Sequence, residues 1–270
     1  MSNFLQRLIT AILGVGIIVF ATVYQSWSFA IVFGLIMLLS LREFYGLAKG
    51  SGSHPFEVWG IGFGVVMFCL AYLVLAGLLE ARYLWVLPPL LLFCFLFPLY
   101  RLETVHPINC LAITLLGIIY IAVPFTLLLA IGFSGKNYDF SLILGLLLAQ
   151  WANDTGAYFA GKALGRTKLF EKVSPNKTWE GTIGGAVLAL ICLYIWSTFF
   201  DHFSVIQWLG LSLVTVIFGS FGDLVESLFK RTLSIKDSGN LIPGHGGFLD
   251  RFDGLILALP FAAAYVMLVM

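Results

Sequence analysis

Residues 205–231 read VIQWLGLSLVTVIFGSFGDLVESLFKR. The first two-thirds are apolar enough for a membrane helix, which needs about 20 mostly apolar residues. The last third then carries Asp223, Glu226 and Lys230 where hydrocarbon would be expected. A carboxylate facing lipid costs several kcal/mol, so such acids turn towards a partner or a wet cavity. On a helix Asp223, Glu226, Ser227 and Lys230 fall three or four positions apart along one stripe that ends at Arg231. This one stretch therefore predicts an all-α membrane fold with a polar pocket at the end of a span.

The rest of the chain agrees. Of 270 residues, 60% are hydrophobic and only 11% are charged, against about 25% charged in a typical soluble protein. A charged shell for a soluble domain is missing, so most of the surface must face lipid. The formal net charge is +1, which gives no reason to expect a nucleic-acid partner. Apolar runs at about 8–24, 27–41, 59–79, 83–100, 108–131, 141–160, 181–200, 205–228 and 254–270 predict a polytopic integral membrane protein with about nine transmembrane helices. Arg7 precedes the first run, and with no small-residue cleavage site behind it that run reads as an uncleaved span. The four cysteines, Cys69, Cys94, Cys110 and Cys192, sit singly in apolar stretches and read as buried small hydrophobes rather than a metal or disulfide framework. Residues 1–140 are expected to form an N-terminal scaffold or oligomerisation region, and 141–270, with polar loops at 161–180 and 229–253, a C-terminal catalytic region.

Lysine and arginine in alternate loops orient the spans. Arg7, Arg42, Lys49, Arg101, Lys162, Arg166, Lys168, Lys172, Lys177, Lys230, Arg231, Lys236 and Arg251 fall on one side, and only Arg82 and Lys136 on the other. That bias places the N-terminus in the cytoplasm. Nine of these cations lie in the two polar loops, more than orientation requires.

Acids accompany them. Asp154 lies in AQWANDTGAYFAGK, residues 149–162, and Asp250 and Asp253 lie in KDSGNLIPGHGGFLDRFDG, residues 236–254. The orientation brings both, with Asp223, to the cytoplasmic boundary. Carboxylates without His or Cys partners suit a hard cation such as Mg²⁺, and Lys and Arg suit phosphate. The glycines of PGHGGF let backbone N–H groups approach an anion. His245 is equally a turn-stabilising residue or a phosphate contact. Together these features describe a metal–phosphate site at headgroup depth. A cation-coupled transporter would instead place its acids near the bilayer midplane, often in repeated halves, and no repeat is present.

Residues 227–253, SLFKRTLSIKDSGNLIPGHGGFLDRFD, resemble the signature of the phosphatidate cytidylyltransferases. The matching positions are Ser227, Lys230, Arg231, Lys236, Asp237, His245, Gly246, Gly247, Asp250, Arg251 and Asp253. A second stretch, NDTGAYFAGKALGRTKLFEKVSPNKTWEG at 153–181, resembles the same family through residues that include Asp154, Ser174, Lys177 and Glu180. The likeness is specific over about 150–254 and general elsewhere.

The resemblance implies CTP and phosphatidic acid as substrates, CDP-diacylglycerol and pyrophosphate as products, and a multi-pass protein of the cell (inner or plasma) membrane. It implies Mg²⁺ with room for a second cation, a site on the cytoplasmic side, membrane lipids as neighbours and a homodimer. On this reading Asp154, Asp223, Lys236, Asp237, Asp250 and Asp253 are catalytic, with Asp223 and Asp250 holding the metal. Arg166, Ser174, Lys177, Ser227, Lys230, Arg231, His245, Gly246, Gly247 and Arg251 would bind substrate. A CTP-dependent lipid kinase would present a similar site but release CDP. DRFDG echoes the opening of the CDP-alcohol phosphotransferase motif, yet the residues that should follow it are replaced by an apolar run. A non-catalytic scaffold would leave both polar loops without a purpose.

Overall fold

The computed structural model describes residues 3–50, 52–100, 106–135, 137–233, 235, 238–239 and 246–270, with backbone alone for 3–8. Nine helical segments run through them: α1 Asn3–Tyr24, α2 Ser26–Gly50, α3 Glu57–Leu75, α4 Ala81–Tyr100, α5 Pro107–Gly132, α6 Phe140–Leu164, α7 Trp179–Ser197, α8 Val205–Thr232 and α9 Leu249–Val269. They coincide with the nine apolar runs. Seven of them, α2 to α5 and α7 to α9, are long and apolar enough to cross a membrane. In α1 the described apolar run is shorter, Ile9–Tyr24. α6 has the length but carries Gln150, Asn153, Asp154 and Thr155 in its second half.

Local chemistry explains the irregular helices. α4 alternates 3₁₀ and α turns, with Pro88, Pro89 and Pro98 each lacking an N–H for the ladder. α5 takes one π turn at Ile118–Ala122, just before Pro124. Helix starts are capped: the Asp139 carboxylate accepts the Ser141 N–H at 2.8 Å, and Ser204 with Gln207 forms a capping box on α8. One feature departs from the all-helical expectation. Within the polar loop 161–180, β1 Lys168–Phe170 pairs antiparallel with β2 Ser174–Thr178, Lys168 opposite Thr178 and Phe170 opposite Ser174.

The chain divides into two compact units, residues 1–133 with 237–251 and residues 134–236 with 252–270. The described residues 238–239 and 246–251, grouped by sequence with the C-terminal region, thus fall in the unit of the N-terminal helices. In the first unit Phe29, Phe33 and Phe125 are fully buried. The Tyr45 hydroxyl donates to the Thr114 carbonyl at 2.8 Å, and the Thr114 hydroxyl accepts the Phe56 N–H at 2.8 Å, tying the α2–α3 connection to α5. Of the cysteines, Cys94 and Cys110 are buried as expected; Cys192 is half-buried and Cys69 is exposed on α3.

In the second unit α6 and α7 approach closely. A Cβ added at Gly185 would lie 2.6 Å from the Asn153 carbonyl oxygen, and one at Gly156 would lie 2.8 Å from that of Gly184. Backbone cannot yield cheaply. Gly185→Ala is expected to lower the thermal-unfolding midpoint of the detergent-solubilised protein, at a cost of about 1–3 kcal/mol. Gly62→Ala, where nothing lies within 4 Å, is the control and leaves the midpoint unchanged or slightly raised.

Candidate active site

A cavity of about 600 Å³ opens in the second unit. α6 gives it one face through Asn153, Asp154, Ala157, Tyr158, Gly161 and Lys162, whose spacing puts them on consecutive turns of one side. Ser174, Asn176 and Lys177 come from β2, and Gly181 and Thr182 from the first turn of α7. Ser220 and Asp223, three positions apart on α8, complete the wall.

The hairpin is a strap held at both ends. The Glu180 carboxylate accepts the Arg166 N–H at 3.1 Å and the Thr167 N–H at 3.1 Å, and the Trp179 N–H donates to the Thr167 carbonyl at 2.9 Å. Lys168 Nζ bonds the Pro175 carbonyl at 2.6 Å across the turn. The Thr178 hydroxyl ends the strap by capping α7, accepting the Gly181 N–H at 3.2 Å. So fixed, β2 delivers Lys177 to the cavity, where Nζ meets Asp223 Oδ2 at 2.7 Å. On α6, Gln150 Nε2 donates to Asp154 Oδ1 at 3.2 Å. The cavity wall therefore carries two carboxylates, two ammonium groups and the N-terminal turn of a helix, whose N–H groups and dipole favour an anion.

The signature loop is built separately, in the first unit. Asp250 Oδ2 accepts the N–H groups of Ser238 and Gly247, both at 2.9 Å. Gly246 sits at φ +82°, a left-handed conformation that suits glycine. Arg251 is exposed, and its N–H donates to the Phe248 carbonyl at 3.1 Å.

Of the residues expected from sequence, the cavity brings together Asp154, Ser174, Lys177 and Asp223. Arg166 is exposed and is not among the lining residues. The expected stripe on α8 splits: Asp223 faces the cavity, whereas Glu226, only 1% exposed, pairs with Lys230 one turn on. Two opposite charges at that spacing satisfy each other, which draws the acid inward. Ser227 is half-buried and Arg231 exposed near the end of α8. Asp253 accepts the Gly254 N–H at 2.8 Å and lies within electrostatic range of Asp223, Glu226 and Lys230. Gly246, Gly247, Asp250 and Arg251 belong to the first unit, Asp223 and Asp253 to the second. Lys236, Asp237 and His245 lie outside the described residues.

Sequence reasoning missed Lys162, Asn176, Thr182 and Ser220 in the wall, and Gln150 behind Asp154. Lys162 was within reach, since it stands eight positions after Asp154 on the same helical side.

The donor set fits a hard cation. Among the described residues the lining supplies carboxylate, amide and hydroxyl oxygens with no thiol or imidazole, and the buried Asn153 Oδ1 has no hydrogen-bond partner. Among the described residues no group of three or more His, Cys, Asp or Glu is placed to hold a metal ion.

A family model described as the cytidylyltransferase family matches residues 5–269. The phosphatidate cytidylyltransferase of Haemophilus influenzae is 46% identical over 138 residues, which cover 48% of this chain and 46% of that protein. Those of Staphylococcus saprophyticus and Staphylococcus aureus strain COL are each 44% identical, over 152 and 151 residues, covering 55% of this chain and 56% of theirs. The chain spans about half the length of these curated relatives in the matched stretch.

Proposed function

The chain belongs to the cytidylyltransferase family, and from that premise we propose that it is a phosphatidate cytidylyltransferase of the cell membrane. It transfers CMP from CTP to phosphatidate, giving CDP-diacylglycerol and pyrophosphate. The observation that carries the reading is the meeting of Lys177 and Asp223, 46 positions apart, on the wall of a cavity shared with Asp154 and Ser174.

In this reaction an ionised phosphate oxygen of phosphatidate attacks the α-phosphorus of CTP. A new P–O bond forms, the bond to the β-phosphate breaks, and its electron pair leaves on pyrophosphate. The nucleophile arrives deprotonated, so positioning and charge neutralisation carry the catalysis. Lys177, Lys162 and the first turn of α7 hold the triphosphate, with Ser174 donating to it from the strap. Tyr158 and the α6 face bound the other side. Asp223 would help to hold a Mg²⁺ ion, which when bound would supply neutralisation of phosphate charge; Asp250, the other ligand expected from sequence, belongs to the first unit. Asp154, steadied by Gln150, and Asp253 set the local charge that Lys177 and Lys230 balance.

The lysine and arginine bias supports a cytoplasmic N-terminus and a site on the cytoplasmic side, where CTP is in solution and phosphatidate in the leaflet. A homodimer is part of the same proposal.

The decisive assay mixes detergent-solubilised protein with phosphatidate, CTP and Mg²⁺. Pyrophosphate is expected to appear in equal amount with CDP-diacylglycerol, and only with all three present. Release of CDP instead would mark a lipid kinase; no release at saturation would end the enzymatic reading.

A further inference from the structure

Glu43 lies near the end of α2 in the first unit, beside Arg42, and no motif singles it out. Its side chain is nonetheless buried, 7% exposed. Oε2 accepts the Leu249 N–H at 2.9 Å, a contact spanning 206 positions, and the Phe248 amide is directed at the same carboxylate. The other oxygen, Oε1, has no hydrogen-bond partner among the described residues. The loop closes tightly on this group: a Cβ at Gly247 would lie 2.4 Å from Oε2, and one at Gly239 would lie 2.7 Å from Oε1. Asp250 grips the same loop from within, through Ser238 and Gly247.

A buried carboxylate is costly unless it is hydrogen-bonded, so its position here calls for a role. We propose that Glu43 is a positioning residue: it clamps the signature loop at Leu249 and so fixes Gly246, Gly247, Asp250 and Arg251 for the transfer reaction. The clamp works through reach. Charge alone would not serve, because the hydrogen bond must span from α2 to one particular amide. It also accounts for glycine at 239 and 247, since any side chain there would press on the carboxylate. This inference rests on the transferase reading above.

Three variants separate reach from charge. Glu43→Gln keeps the length and an acceptor oxygen but loses the charge. Glu43→Asp keeps the charge but is shorter by one bond, about 1.5 Å, and falls short of the Leu249 amide. Glu43→Ala removes both. Gln is expected to hold kcat within about fivefold of wild type, whereas Asp and Ala lose about 30-fold or more. KM for CTP stays within about threefold, because a misplaced loop costs turnover before it costs ground-state binding. Hydrogen exchange of peptides covering 246–254 should quicken in Asp and Ala and stay near wild type in Gln. Should Ala fail to fold, the Gln–Asp pair decides alone. Activity of Asp equal to or above that of Gln, or wild-type exchange in both Asp and Ala, overturns the clamp. Wild-type protein without pyrophosphate release would instead sink the parent reading, and the exchange measurement would still decide whether Glu43 holds the loop.

Discussion

Asp223→Asn is expected to cut pyrophosphate release by about 10²–10³-fold while the protein stays folded. The substitution keeps shape and removes only the negative charge. Folding should survive because the Lys177–Asp223 pair is partly exposed, with side chains 29% and 26% accessible. Exposed and half-exposed pairs contribute about 1 kcal/mol or less. On the proposed reaction the catalytic loss is larger, because Asp223 would act where two phosphate-bearing substrates must be brought together and like charge has to be neutralised. A carboxylate that holds a hard cation cannot be replaced by a neutral amide without weakening the ion. The Mg²⁺ titration should therefore move to higher concentration, by about tenfold or more, alongside the fall in kcat. Turnover near wild type with unchanged Mg²⁺ dependence would remove Asp223 from the metal and leave it only as the partner of Lys177.

How far the sequence reached depended on whether a residue's role was written in its near neighbours. The nine helical segments were legible because a span is a local property, about 20 apolar residues in a row. α6 was legible too, although its polar second half lowers its hydropathy, since the acid in it pointed to a cavity. The β1–β2 strap was not: KLFEKVSPNKT alternates poorly, and what holds its ends is Glu180 taking two backbone N–H groups from 166 and 167. Asp223 could be named from its place at the end of a span, but its partner could not. The resemblance named Lys177 as a substrate contact, and the fold adds its pairing with Asp223. Of the two courses open to an acid on that stripe, a partner or a wet cavity, Glu226 takes the partner, Lys230 one turn on. Glu43 marks the far limit. Its partner is 206 positions away, and nothing near it in the chain signals that a loop amide will arrive there.

Lys177→Met carries the second large effect, a fall of about 10²-fold in kcat/KM for CTP, about 2.7 kcal/mol of lost stabilisation. Met keeps an apolar stem of similar length and removes the ammonium group. In the free protein that group is held at 2.7 Å from Asp223 Oδ2, so it waits on the cavity wall instead of ranging through solvent. A triphosphate entering the cavity meets a cation already in place, and the entropy of ordering a long side chain is not lost on binding. The loss should fall chiefly on KM, and the rise of KM with ionic strength expected of wild type should flatten in the variant. Lys172→Met is the control, since Lys172 is exposed in the turn and outside the cavity lining; its kinetics should stay within about twofold of wild type. Equal losses in the two variants would mean that the loop's overall charge matters and the site on the wall does not. Combined with Asp223→Asn, Lys177→Met should lose less than the product of the single effects, because each removes the partner that orients the other.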